Sequence, residues 1–143
     1  MSTDRADLGV LLHRLLAVVV EREKALLAVR GLQMWDYVVL SGLENGAAPT
    51  QNQLALEVGR DKTRLIATLD RLQERGLVDR QPARHDRRNR VVALTDVGRS
   101  VLAECRADVR VMEQELLAPL GRQRRADLLR ALDQAVVFTH GTS

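Results

Sequence analysis

The chain has 143 residues, 45% of them hydrophobic and 2% aromatic, with a formal charge of +3. That length suits one compact domain of the usual ~100–200 residues and excludes a second full one. A single cysteine excludes an intramolecular disulfide, the start MSTDRADLG lacks the basic-then-apolar pattern of a signal peptide, and no run approaches the ~18 apolar residues of a membrane span, so a soluble, cytoplasmic protein with no membrane partner is expected.

From Leu8 the apolar positions Leu8, Leu11, Leu12, Leu15, Leu16, Val19, Leu26 and Leu27 keep helical spacing, and Gly31 ends this first helix. LQMWDYVVLSGL (32–43) predicts a second, more buried helix, followed by a breaker-rich turn, ENGAAP (44–49). In TQNQLALEVG, Thr50 and Gln53 stand in the T-x-x-Q relation of a capping box and Gly59 is placed to end a helix of about two turns. RDKTRLIATLDRLQERG follows at once, with Asp61 as N-cap and Gly76 after the last turn. Leu65, Ile66, Leu69 and Leu72 share one side of this helix; Thr63, Arg64, Ala67, Asp70, Arg71 and Glu74 lie opposite. Two helices joined by a tight turn make a helix-turn-helix candidate. LVDRQ (77–81) and RVVAL (90–94) then predict two strands around a charged loop, which is a wing. Thr95 caps a long helix with Val101, Leu102, Cys105, Val109, Met112 and Leu116 on one arc, and after Pro119 and Gly121 a last helix carries Leu128, Leu129, Leu132 and Val136. The apolar faces of the first and last helices exceed what a small winged unit could cover, so they are expected to form a homodimer interface.

Charge is concentrated in the middle of the chain. Residues 60–90 hold ten basic side chains against five acids, whereas the rest of the chain holds twelve against fourteen. A polyanion facing that stretch is the natural partner.

The densest motif run, RLQERGLVDRQPARHDRRNRVVALTDVGR (71–99), resembles the MarR family of winged-helix transcriptional regulators. The pieces that carry the likeness are Gly76-Leu77-Val78, Asp86-Arg87-Arg88 and Leu94-Thr95-Asp96-Val97-Gly98, and GLQMWDYVVLSGL is similar to the family's second helix. The resemblance covers nearly the whole chain. It implies a mainly α fold with a small β-hairpin, read as a single domain over 1–143: dimerisation helices in 1–31 and 99–143, and a winged helix-turn-helix in 32–98. It further implies a homodimer on double-stranded DNA, commonly a repressor, whose recognition helices enter major grooves and whose wings reach minor grooves. Release by a small-molecule effector is an option the family brings.

On this reading Lys62, Thr63, Arg64, Ala67 and Arg71 are the exposed candidates on the recognition helix, with Arg64 suited to reading guanine and the Ala67 methyl to thymine. For Arg71, phosphate contact and plain solvation are both open. Thr50 and Gln51, at a helix N-terminus, suit phosphate through backbone N–H groups. The wing offers Arg84, Arg87, Arg88 and Arg90 to phosphates and to the narrow minor groove, and Asp86 is expected to hold the Arg88 guanidinium and brace the turn. The family's ligand crevice makes His13 and Trp35 candidate effector contacts, against simple exposure for His13 and core packing for Trp35. Cys105 is expected to pack as a small hydrophobe. His13, His85 and His140 lack metal-site spacing, so neither metal nor cofactor is expected.

Two other classes compete. An enzyme would need a nucleophile, base or metal constellation, and none stands out. An RNA- or protein-interaction winged helix without operator specificity is the other, but none of Trp35, Tyr37 and Phe138 lies in the basic segment to stack on unpaired bases.

Overall fold

The computed structural model describes residues 4–45 and 48–140, without the His140 side chain; Gly46 and Ala47, inside the expected 44–49 turn, lie outside the described residues. The elements run α1 (Leu8–Ala28), α2 (Met34–Gly42), α3 (Gln51–Val58), α4 (Lys62–Glu74), β1 (Val78–Pro82), β2 (Arg90–Leu94), α5 (Asp96–Leu116), a short 3-10 turn (Ala118–Leu120) and α6 (Arg122–His140). The expected mainly helical architecture with one antiparallel hairpin is present. Contacts group into two compact units, 1–108 and 109–143, and the boundary falls within α5.

Local chemistry places the middle helices. Thr50 and Gln53 form the reciprocal capping box: the Gln53 N–H donates to Thr50 Oγ1 (3.2 Å) and the Thr50 N–H to Gln53 Oε1 (2.9 Å). Gly59, at φ +70°, lets the Arg60 N–H reach back to the Ala55 carbonyl and end α3. Asp61 Oδ2 then accepts from the Arg64 N–H at 3.1 Å to start α4. Gly76, at φ +75°, ends α4 in the same manner, with the Leu77 N–H on the Leu72 carbonyl. Because Leu77 is spent on closing that helix, β1 begins at Val78, one residue later than the sequence suggests. Likewise α2 begins at Met34 rather than 32: Leu32 closes α1 by donating to the Leu27 carbonyl, and Gln33 N–H donates to Asp36 Oδ2 as the entry cap.

The hairpin pairs Val78 with Leu94 through Pro82 with Arg90, and its β2 edge is extended by a bridge between Thr50 and Val91, with the Val92 N–H on the Pro49 carbonyl. Residues 49–50, a turn and a cap by sequence, therefore also serve as a third short strand segment. The root of the wing is stitched to α5 by Thr95, whose hydroxyl donates to the Gly76 carbonyl at 2.6 Å and accepts from the Gly98 N–H at 2.9 Å. A Cβ on Gly98 would stand 2.0 Å from the Leu77 carbonyl oxygen, which is the physical reason for glycine in the Leu-Thr-x-x-Gly run.

Unit 1 has a core of Leu27, Leu32, Val39, Leu40, Leu54, Leu65, Leu69, Leu72, Val78, Val92, Leu102 and Cys105. On α4, Thr68 is fully buried with its hydroxyl on the Arg64 carbonyl, whereas Ile66 is only half-buried. Along α1 only Leu27 is buried; Leu8, Leu11, Leu12 and Leu16 are exposed. In α6, Leu129, Val136 and Val137 are exposed as well.

Candidate nucleic-acid interface

The start of α4 is presented to solvent. Lys62, Thr63, Arg64 and Ala67 are all exposed, while Leu65, Thr68 and Leu69 anchor the opposite side. Arg64 is 74% exposed, its Nε 3.5 Å from Asp61 Oδ1, so the residue that caps the helix also steadies the guanidinium. At this exposure the pair is weak, and a stronger anion or a base edge can displace it.

Besides Arg64, four of the ten basic residues in 60–90 have partners within the protein. Arg80, on β1, has a side chain only 9% exposed that donates to Gln73 Oε1 (2.7 Å), Asp70 Oδ1 (2.5 Å) and Gln51 Oε1 (3.3 Å). It thus ties the hairpin to α3 and α4. Arg71 donates to Asp36 Oδ1 at 2.8 Å and Gln33 Oε1 at 3.3 Å; the Asp36 carboxylate is buried, and this cation compensates it. Arg75 donates to the Arg30 and Gly31 carbonyls, satisfying groups left open by the end of α1. Arg60 lies over the Trp35 ring, its guanidinium carbon 4.3 Å from the ring centroid. Sequence reasoning missed Arg80 altogether as a structural residue. The signal was there, because alternation along the strand puts it on the face of buried Val78.

The Thr50 N–H is committed to Gln53, and the Gln51 side chain is buried against Arg80. That removes the Thr50 N–H from the groups available to a phosphate and leaves Gln51 only its backbone.

In the wing, Arg84, Arg87, Arg88 and Arg90 are exposed, and among the described residues none of their guanidinium groups has an ion pair. Asp86 does brace the turn, but through the backbone: its Oδ1 accepts from the Arg88 N–H at 3.0 Å, while its carbonyl accepts from the Asn89 N–H and the Ala83 N–H closes on the Asn89 carbonyl. The expected grip on the Arg88 guanidinium is replaced by an Asx-type turn. The loop is shaped and its arginines project unpaired.

His13 and Trp35 line different clefts. One of about 360 Å³ is lined by Lys24, Leu32, Gln33, Met34 and Trp35; the other, of about 310 Å³, lies along α1 with His13, Leu16, Ala17, Val20 and Glu21. Cys105 is buried in the core, and burial pushes its thiol pKa up, away from reactive thiolate. Among the described residues no three His, Cys, Asp or Glu side chains gather as a metal set, and no helix is long and apolar enough to cross a membrane.

Comparison with known proteins gives a consistent match. The MarR family model matches residues 30–89. The repressor CouR, from Rhodococcus jostii RHA1, was solved on a 23-mer DNA duplex; it is 32% identical, with 91% of this chain and 92% of that chain covered and a TM-score of 0.80. CouR was also solved with p-coumaroyl-CoA. Rv2887 of Mycobacterium tuberculosis, solved with DNA, is 26% identical over 92% of this chain and 98% of that one, with a TM-score of 0.79, and was also solved with salicylic acid. Apo MarR of E. coli is 26% identical over 93% and 98%, with a TM-score of 0.83.

Proposed function

Since the chain belongs to the MarR family of transcriptional regulators, we propose that it is a cytoplasmic homodimeric repressor, not an enzyme, that grips a pseudo-palindromic operator and lets go when a small molecule binds. The observation that carries this reading is the pairing of an exposed α4 start with a braced wing whose four arginines are unspent on internal partners. Lys62, Thr63, Arg64 and Ala67 meet base edges in the major groove, Arg64 as the guanine reader. Arg84, Arg87, Arg88 and Arg90 meet phosphates and the minor groove beside it, with Asp86 fixing the loop. Thr50 serves to cap α3, Gln51 keeps its N–H for phosphate, and Arg71 serves Asp36 rather than DNA.

Residues 1–31 and 99–143 supply the dimer contacts and 32–98 the reader. The exposed leucines of α1 and the exposed apolar residues of α6 support this, because apolar faces of that extent are ordinarily covered by a partner. Two linked readers then address two half-sites about 34–36 Å apart. That CouR and Rv2887 were each solved with DNA and with a small molecule supports the release step, and the Trp35 cleft is its best location here.

Sedimentation and duplex binding test the proposal together. The wild type is expected as a dimer at micromolar concentration, and Leu12→Asp as a monomer with operator affinity reduced by about 10²-fold or more, because the two half-sites are no longer linked. A monomeric wild type would sink the dimer, and no preference for any duplex over single strands would sink the operator reading.

A further inference from the structure

Gln33 and Trp35 flank Met34 at the entry of α2, both line the 360 Å³ cleft, and each holds an arginine of the helix-turn-helix. The Trp35 ring carries the Arg60 guanidinium, and Gln33 Oε1 shares the Arg71 Nη2 with Asp36. Arg60 sits between Gly59, which ends α3, and Asp61, which caps α4. Its Nε is buried without a hydrogen-bond partner among the described residues, and its guanidinium rests on the ring. Arg71 fastens the same helix three turns on, through a buried carboxylate. The cleft wall therefore grips α4 at both ends, firmly at Arg71 and lightly at Arg60.

We propose that Arg60, stacked on Trp35, is a positioning residue that sets the start of α4, and that the state of the Trp35 cleft is transmitted to DNA reading through this pair. The inference rests on the DNA-binding role proposed for α4 and adds its route of regulation. A molecule lodged against Leu32, Met34 and Trp35 shifts or screens the ring, and the lightly held Arg60 moves first. Next along the chain come the Asp61 cap and then Lys62, Thr63 and Arg64. Coupling is reciprocal, so duplex binding must act back on Trp35.

Trp35 is the sole tryptophan, which makes its emission a direct reporter. The experiment uses the 143-residue chain and a duplex that it selects from a random pool. Saturating duplex is expected to change the emission of Trp35 in the wild type and to leave it unchanged in Arg60→Met. Arg60→Met and Trp35→Leu are each expected to weaken duplex binding about five- to tenfold, with the double variant no weaker than the worse single. Arg60→Lys, which keeps a cation over the ring, is expected to retain both affinity and emission response. Silent Trp35 emission at saturating duplex, or single effects that multiply in the double variant, overturns the proposal. Failure to select any duplex instead overturns DNA binding itself, so the two failures are distinct.

Discussion

Residues 60–80 and 84–90 carry the same side chain to opposite ends. In the first stretch Arg60, Arg71, Arg75 and Arg80 each have a partner within the protein: an indole ring, a buried carboxylate, two helix-end carbonyls, or a fan of three side chains. In the second, Arg84, Arg87, Arg88 and Arg90 stand exposed on a loop tied together by backbone bonds and one aspartate. Charge counted along a sequence thus overstates the charge offered to a partner. Six of the ten basic residues, Lys62, Arg64 and the wing four, are exposed and have no side-chain partner beyond Asp61 at the start of α4 among the described residues.

The division can be broken most forcefully at Arg80. Arg80→Met is expected to cost about 2–3 kcal/mol of stability by stranding the buried Gln51 and half-buried Gln73 and untying the hairpin from α3 and α4, read by urea unfolding. The salt dependence of duplex binding should stay the same, since every phosphate contact is kept; a flatter dependence would place Arg80 on DNA. Arg64→Ala is expected to leave stability unchanged, cost about 1–3 kcal/mol on the operator and relax one base pair in each half-site. Equal losses on operator and random duplex would make Arg64 a phosphate contact only. For Arg88→Ala, specific and random duplexes should weaken together, with log K against log salt flattened by about 0.9 for each phosphate no longer neutralised. Asp86→Ala should have the smallest effect, a weakening of about 0.5–1 kcal/mol as the loop loses its bond to the Arg88 N–H. Tighter binding would mean that net charge outweighs loop order, and would remove the reason given for the acid.

What the sequence made legible was whatever is decided within a few residues. The Thr50–Gln53 box, the Asp61 and Thr95 caps and the Gly59 and Gly76 helix ends all depend on neighbours three to five positions away, and the structure has each where the sequence puts it. The exposed side of α4 was legible from periodicity alone, whereas Thr68, assigned to neither side, is buried because its hydroxyl satisfies itself on its own helix. Distant partners were not legible. Arg71 finds Asp36 and Arg75 finds Gly31 across 35 and 44 residues, and Arg80 finds Gln51 across 29. Asp36 gave a usable warning, as an acid inside the apolar run LQMWDYVVL needs a cation if it is to be buried. The backbone role of Asp86 was half legible: the spacing to Arg88 was right, but the grip falls on the N–H instead of the guanidinium. Placing Thr50 on a hairpin edge required the fold itself.

That Thr50–Val91 bridge bears on how the protein avoids aggregation. A two-stranded hairpin thrust toward a ligand exposes two rows of unpaired amide groups, an invitation for another copy to add strands. Pro49 and Thr50 lie along the outer side of β2, with the Val92 N–H taken by the Pro49 carbonyl. The other side belongs to β1, VDRQP, where polar Asp79 and Gln81 face solvent and Pro82 has no N–H to give. Neither margin of the wing is a template for growth. In the proposed dimer, self-association is left to the leucines of helices, where a second copy closes the surface instead of extending it.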